Sequence, residues 1–239
     1  KTPPITSDVW PLIGRKRTGE RLSLSEHLRI ADALAFPDRP GVLQTIAEVL
    51  TDLGVEHLVV GGFAVGALSA RPRATEDVDL LVWQRDLGTL CDGLAARFGP
   101  LEVDRFRSLA RVKAPAMDIV AADAVPLRRQ AMAPENTQPV RFGAGVLRLP
   151  TAPSEIVLKL GAILSITRSP DDAAQDIVDV RRILTNHPEL QVGEVVALGR
   201  ALRTRSPKEV ALIIETLKAG GTFAVSHQGS RVEVICIPR

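Results

Sequence analysis

Aromatic residues are scarce in this chain of 239 residues: six Phe, two Trp and no Tyr, 3% in all. Proteins that bind single-stranded nucleic acid by stacking need several exposed rings, so a platform of that kind is not expected. Cysteine is rarer still. Cys91 and Cys236 stand far apart, outside any CxxC or His/Cys pattern, which excludes a disulfide framework and a structural zinc site as working ideas. Neither sign of charge dominates, since 30 Lys and Arg face 28 Asp and Glu for a formal net charge of +2. That balance permits a nucleic-acid partner without requiring one. No apolar run approaches the roughly 18 residues of a membrane helix, and no apolar signal core follows Lys1-Thr2-Pro3-Pro4. A cytoplasmic protein with no membrane partner is the expectation.

What is present is a globular composition, 45% hydrophobic and 24% charged, in a chain long enough to bury a substantial core. Pro, Gly, Lys and Arg crowd residues 1–24, where a loose arm is expected; Ser23 and Ser25 then offer caps for a helix over Glu26 to Leu34. Apolar residues at helical spacing mark Val42 to Leu53 as a helix closed by Gly54. His57 to Val60 reads as a buried strand, Phe63 to Ala70 as a helix of small residues, Val78 to Trp83 as a strand and Asp86 to Phe98 as a helix. Strand-like runs follow at Leu101 to Val103, Leu109 to Val112 and Met117 to Val120. Val140 to Phe142 and Val146 to Leu149 read as a hairpin around Gly143-Ala144-Gly145. After Pro150 the pattern turns helical, over Glu155 to Ile166, Asp171 to Leu184, Val192 to Leu202 and Pro207 to Leu217. The expected organisation is an arm and short helix over 1–40, an α/β core over 41–150, a helical domain over 151–220 and a tail over 221–239. The tail suits a strand or an appendage equally.

Two short runs carry the chemistry. In Val59-Val60-Gly61-Gly62-Phe63-Ala64 a glycine pair joins a strand to a helix, which lets backbone approach a ligand and offers free helical N–H groups to an anion. Taken alone, such a pair is more often a plain tight turn. In Asp77-Val78-Asp79 the period of two puts both carboxylates on one face of an apolar strand. Two such acids repel each other and are costly to desolvate unless a cation holds them; the plain alternative is a solvated strand end paired with Arg71 or Arg73. Asp118 interrupts the apolar run Ala116-Met117-Asp118-Ile119-Val120 and could serve as a third acid and general base, or simply as an edge-strand charge. In the helical half, Lys159 is the sole charged residue from Ile156 to Thr167. It either pairs with Glu155 on the surface or faces a polar cleft that holds phosphate. Asp172, Asp176 and Asp179 share one helix face, as a solvated stripe would.

The run from Val59 to Val82, with Asp118 downstream, resembles the nucleotidyltransferase superfamily that includes the DNA polymerase β-like transferases. Gly-Gly-Phe-Ala-Val followed by Arg-x-Thr-x-Asp-Val-Asp-Leu is similar to the AbiEii-like branch known from bacterial toxin–antitoxin systems. That resemblance implies an α+β fold in which a nucleotidyltransferase-type mixed β-sheet with flanking helices precedes a helical C-terminal half. It implies that Gly61, Gly62, Arg73 and Thr75 bind nucleotide, that Asp77, Asp79 and Asp118 hold Mg²⁺ (two ions), and that an NTP is the substrate. Lys159, Arg168 and Gln175-Asp176-Ile177-Val178-Asp179 are similar to the branch's Lys…Arg…Lys-Asp-x-x-Asp helices. By that likeness Lys159 contacts phosphate and Asp176 or Asp179 supports catalysis, although Gln175 stands where the branch has Lys.

The expected activity is therefore transfer of a nucleoside monophosphate from an NTP to an acceptor hydroxyl, with tRNA as the acceptor and an antitoxin protein as the partner that the branch implies. An antibiotic-type enzyme acting on a small molecule uses the same residues. A two-metal nuclease needs the acids but has no use for Gly61 and Gly62 as a phosphate cradle, and a catalytically silent binding module needs neither.

Overall fold

A computed structural model describes residues 10–17, 20–71, 75–202, 205–228 and 231–238, which form two compact units divided between Pro150 and Thr151. In chain order the first unit contains α1 (Trp10–Arg17), α2 (Leu24–Ala35), α3 (Val42–Asp52), β1 (His57–Val60), α4 (Gly61–Leu68), β2 (Val78–Val82) and α5 (Leu87–Phe98). It continues with β3 (Val103–Phe106), β4 (Leu109–Lys113), β5 (Ala116–Ala121), α6 (Pro126–Ala131), β6 (Thr137–Phe142) and β7 (Gly145–Pro150). The second unit holds α7 (Ala152–Ile163), α8 (Pro170–Asn186), α9 (Val192–Gly199), α10 (Pro207–Lys218) and a hairpin of β8 (Thr222–Gln228) and β9 (Arg231–Ile237). This is an α+β fold with a mixed sheet and flanking helices. No helix among the described residues is long and apolar enough to cross a membrane.

The sheet of the first unit has five strands in the order β1-β2-β5-β4-β3. β2 and β5 run parallel, and every other pairing is antiparallel. Alternation decides its two faces. Val78, Leu80 and Val82 of β2, Met117 and Ile119 of β5, and Ala110 and Val112 of β4 point into one core. There they meet Leu43, Ile46 and Leu50 of α3, Phe63 of α4, and Leu90 and Leu94 of α5. The intervening positions, Asp79, Asp118 and Arg111 among them, lie on the opposite face.

Local chemistry fixes the helices that back this core. Ser23 caps α2 in a reciprocal box: its hydroxyl accepts from the Glu26 N–H, and the Glu26 carboxylate accepts from the Ser23 N–H at 2.7 Å. Asp32 reaches out of α2 to accept from the N–H groups of Gly41 and Leu43, at 3.1 and 2.9 Å, and so caps the start of α3. β6 and β7 form the expected hairpin, which lies against α3 so closely that a Cβ on Gly145 would stand 2.4 Å from the Ala47 carbonyl. Two further bonds fasten it: the Val146 N–H donates to the Thr51 hydroxyl, and the Arg148 N–H donates to Nε2 of buried His57. With Nε2 accepting, Nδ1 carries the proton and donates to the Val55 carbonyl. Burial in turn holds the His57 pKa below its usual value.

Several elements depart from the sequence expectation. Within the expected arm, α1 forms because Leu12 packs on Ile30 and Ala33 while Arg15 pairs with Glu20 and Glu26; residues 1–9 lie outside the described residues. α4 starts at Gly61 rather than Phe63. β3 begins at Val103, where the expected strand ended, because its pairing with β4 carries it on to Phe106. α6 was not expected; Pro126 at its first turn is the residue that favours it. The tail is a hairpin, its two strands paired from Thr222 opposite Ile237 to Gln228 opposite Arg231.

Burial pushes the Asp32 pKa up from 3.8 to about 6, against the two backbone donors that favour its charged form. Because the folded value exceeds the unfolded one, Asp32 adds stability as pH falls from about 6 towards 3.8 and subtracts it above that window. Asp32→Asn keeps an acceptor and removes this titration. Denaturant unfolding at pH 7.5 and pH 5 should show the native protein gaining on the order of 1 kcal/mol relative to the variant at the lower pH. A constant difference between the two proteins would mean that Asp32 is not protonated on burial.

Candidate active site

The polar face of the sheet gathers its charges in one row. Asp79 on β2 stands directly opposite Asp118 on β5, and Asp118 stands opposite Arg111 on β4. Asp77, two residues before Asp79, projects from the same edge. One carboxylate oxygen from each of Asp77, Asp79 and Asp118 lies within 4.8 Å of the others, and all three residues are partly buried. The β2 spacing and the β2–β5 register together make this cluster, with Val78, Leu80, Met117 and Ile119 forming a dry floor beneath it.

The glycine pair belongs to the same structure. Gly61 has φ +66, and a Cβ there would lie 2.0 Å from an Asp79 carboxylate oxygen. A Cβ on Gly62 would meet the Thr75 side chain at 2.7 and 2.8 Å. Thr75 in turn places its hydroxyl 3.2 Å from the Asp77 carbonyl and 3.3 Å from its carboxylate. Gly61 is thus required by its left-handed φ and its approach to Asp79, and Gly62 by its approach to Thr75. The first turn of α4, which starts at Gly61, leaves backbone N–H groups without intrahelical acceptors. Arg73 lies outside the described residues.

The residue that sequence reasoning missed is Arg111. Its Nε and a terminal nitrogen donate to the two oxygens of Asp118 at 2.9 and 3.0 Å. This bond raises the Arg111 pKa further, and Asp104 and Asp77 add to the effect. The alternation of Leu109-Ala110-Arg111-Val112-Lys113 was the available signal, since it puts Arg111 on the outer face of a strand with an apolar core side.

Three hard oxygen donors at this spacing fit a divalent cation. An Mg²⁺ ion about 2.0–2.1 Å from each oxygen spans at most about 4.2 Å across its shell, which small side-chain rotations from the observed separations reach. The Asp79 carboxylate occupies the space that a Cβ at Gly61 would take, so a glycine there is what lets this acid join the cluster.

In the second unit, the residues singled out in the sequence also come together, in a different environment. Lys159 on α7 is 9% exposed; its Nζ lies 2.7 Å from Asp176 and 3.1 Å from Asp179 on α8. Arg168 donates to Asp176 at 2.8 Å, and Gln175 donates to Asp179 at 3.0 Å. Burial acts to lower the Lys159 pKa, but Glu155, Asp176 and Asp179 outweigh it and hold the ammonium charged above its ordinary range. The surface pair with Glu155 considered from the sequence is therefore replaced by a buried ion lattice, because Glu155 is itself only 1% exposed. Asp172 alone keeps the character of a solvated stripe.

No protein-family model and no curated protein matches the chain. Solved structures that overlap it include ANT(2'')-Ia in complex with adenylyl-2''-tobramycin, at 21% identity and a TM-score of 0.49, over 69% of this chain and 96% of that one. An antigenic nucleotidyltransferase-like protein from Paracoccidioides brasiliensis overlaps at 18% identity and a TM-score of 0.48, over 71% and 90%. Terminal uridylyl transferase 4 from Trypanosoma brucei with bound CTP overlaps at 14% and 0.33, over 75% and 56%.

The ion lattice sets a clear expectation for Lys159→Met. Removing the cation takes the nearest counter-charge from buried Asp179 and leaves Asp176 with Arg168, and the loss should be about 3 kcal/mol in denaturant unfolding. Neutralising the acids as well, with Asp176→Asn and Asp179→Asn, should recover part of it. A Lys159→Met protein as stable as the parent would show that the lattice contributes nothing to the fold.

Proposed function

We propose that this protein is an Mg²⁺-dependent nucleotidyltransferase that moves a nucleoside monophosphate from an NTP to an acceptor hydroxyl. The observation that carries the reading is the meeting of two motifs at one point: Gly61, at the strand-to-helix turn, closes on Asp79, which the register sets opposite Asp118. A phosphate cradle and an acid cluster built against each other suit a substrate that is both anionic and metal-bound.

In this reading the start of α4 presents its open N–H groups to the triphosphate, and Gly61 and Gly62 keep that approach free of side chains. Asp77 and Asp79 would hold Mg²⁺, two ions in the fullest form of the proposal, with Asp118 completing the set. Bound there, Mg²⁺ would supply charge neutralisation on the phosphates and a more acidic acceptor hydroxyl. The acceptor oxygen bonds to the α-phosphorus as the bond to the bridging oxygen breaks, pyrophosphate leaves, and the hydroxyl proton passes to the Asp118 carboxylate. Thr75 steadies Asp77 through the hydroxyl contact already described. Arg73 joins the nucleotide-binding set on the strength of the sequence resemblance alone.

Lys159, Asp176 and Asp179 enter the proposal as one charged unit that fixes α7 on α8. The motif wording supports tRNA as acceptor and a role as the toxin of a toxin–antitoxin pair. An antibiotic-type small molecule is the alternative acceptor for the same chemistry.

The test is incubation with each α-labelled NTP and Mg²⁺, in separate arms containing total RNA and an aminoglycoside. Label should appear on one acceptor class and require Mg²⁺. Asp79→Asn, which changes charge but hardly size, should lower transfer by about 10³-fold or more while leaving the circular dichroism spectrum unchanged. Transfer at the parent rate by that folded variant would end the reading.

A further inference from the structure

β3, β4 and β5 place Asp104, Arg111 and Asp118 side by side, each directly opposite the next and all on the polar face of the sheet. Arg111 therefore has a carboxylate within a strand's width on either hand. Its present bond is to Asp118, where the guanidinium fork engages both oxygens. The Arg111 side chain is nevertheless 55% exposed. A pair that open to solvent is weakly held and exchanges partners at little cost. Asp104 on the other side is 51% exposed and is only loosely engaged by Lys113, at 3.8 Å, whose nearer partner is Glu102. The fork of Arg111 covers oxygens that a cation at the acid cluster needs, and its charge repels that cation.

We infer that Arg111 is a two-position latch on the candidate site: it holds Asp118 while no cation is bound and turns to Asp104 when a divalent cation takes the Asp118 oxygens. This rests on the metal-binding part of the proposed function and adds to it a regulation of ion entry. The Arg111 charge is shared with Asp118 while no ion is bound. The excess charge is thereby reduced before the ion arrives, and the guanidinium stays close enough to return when the ion leaves.

A Mn²⁺ titration of the full chain, followed by the paramagnetic resonance signal of the free ion, reads the latch without any assay of activity. Arg111→Gln should tighten Mn²⁺ binding by about tenfold, since one positive charge near the ion and one competitor for its ligand are lost together. Arg111→Lys, which keeps the charge but loses the two-pronged bond, should fall between the two. Asp104→Asn should weaken binding by about threefold, because Arg111 then has nowhere else to go. Loss of a positive and of a negative charge gives opposite signs by Coulomb attraction alone, so the latch is read from the double variant: Asp104→Asn should have little further effect in the Arg111→Gln background, whereas a threefold weakening that persists there overturns it. Unchanged or weaker binding in Arg111→Gln overturns it, weaker binding showing that Arg111 orients Asp118 for the ion. If Arg111→Gln does not fold by thermal melt, Arg111→Lys decides: tighter binding with the charge retained supports the latch, and unchanged or weaker binding overturns it. Absence of Mn²⁺ binding in parent and variants alike overturns the metal-binding reading as well, whereas equal binding in all of them removes only the latch.

Discussion

Repulsion among Asp77, Asp79 and Asp118 is the constraint to which the polar face of the first unit answers. Three carboxylates whose oxygens lie within 4.8 Å of one another would scatter if their strands were free to shift. The strands are not free. A slip of β2 by one residue against β5 would turn Val78 and Leu80 out of the core and Asp79 into it. The hydrophobic effect therefore holds the like charges together, at several buried aliphatic side chains against one electrostatic strain. From β4, Arg111 supplies Asp118 with a counter-charge.

Charge is handled in two contrasting ways in this protein. In the second unit, Lys159, Arg168, Asp176 and Asp179 are interlocked inside a helical packing, with opposite charges matched almost one to one. Every member has a fixed partner, which suits a part that has to stay assembled. The sheet of the first unit instead leaves its acids partly exposed with an exposed arginine beside them. An arrangement of that kind is stable enough to persist and loose enough to be rearranged by an arriving ion.

The sequence disclosed most of this where periodicity and burial agreed. Asp77 and Asp79 were legible as a pair because they interrupt an apolar strand at a spacing of two, and Asp118 because it does so singly. The glycine pair was legible as a turn, but its tightness against Asp79 and Thr75 was not, since that follows from the β1–β2 pairing and not from either motif. Arg111 was invisible for the same reason: a lone arginine in a strand acquires meaning only when register names its neighbour. Lys159 was misjudged between a surface pair and a free cleft because Asp176, seventeen residues on, is brought to it by packing of α8 on α7. Helix α1 was obscured by a composition rich in Pro and Gly, and its formation depends on the seat that Leu12 finds on α2.

The β6–β7 hairpin has a consequence for anyone who wishes to rebuild this molecule. Loop tips between paired strands are ordinarily the places where tags, epitopes and inserted domains are best tolerated. Here the tip at Gly143-Ala144-Gly145 is a poor host, because Gly145 abuts the backbone of α3 and the next two anchors tie the strand to Thr51 and His57. The two-residue turn at Arg107-Ser108, between β3 and β4, lies beside exposed Phe106 and is tied through its two carbonyls, to the Gln84 side chain and the Ala121 N–H. A fluorophore or peptide graft belongs there, at the far margin of the sheet, where it would leave the fastening of α3 to β7 undisturbed.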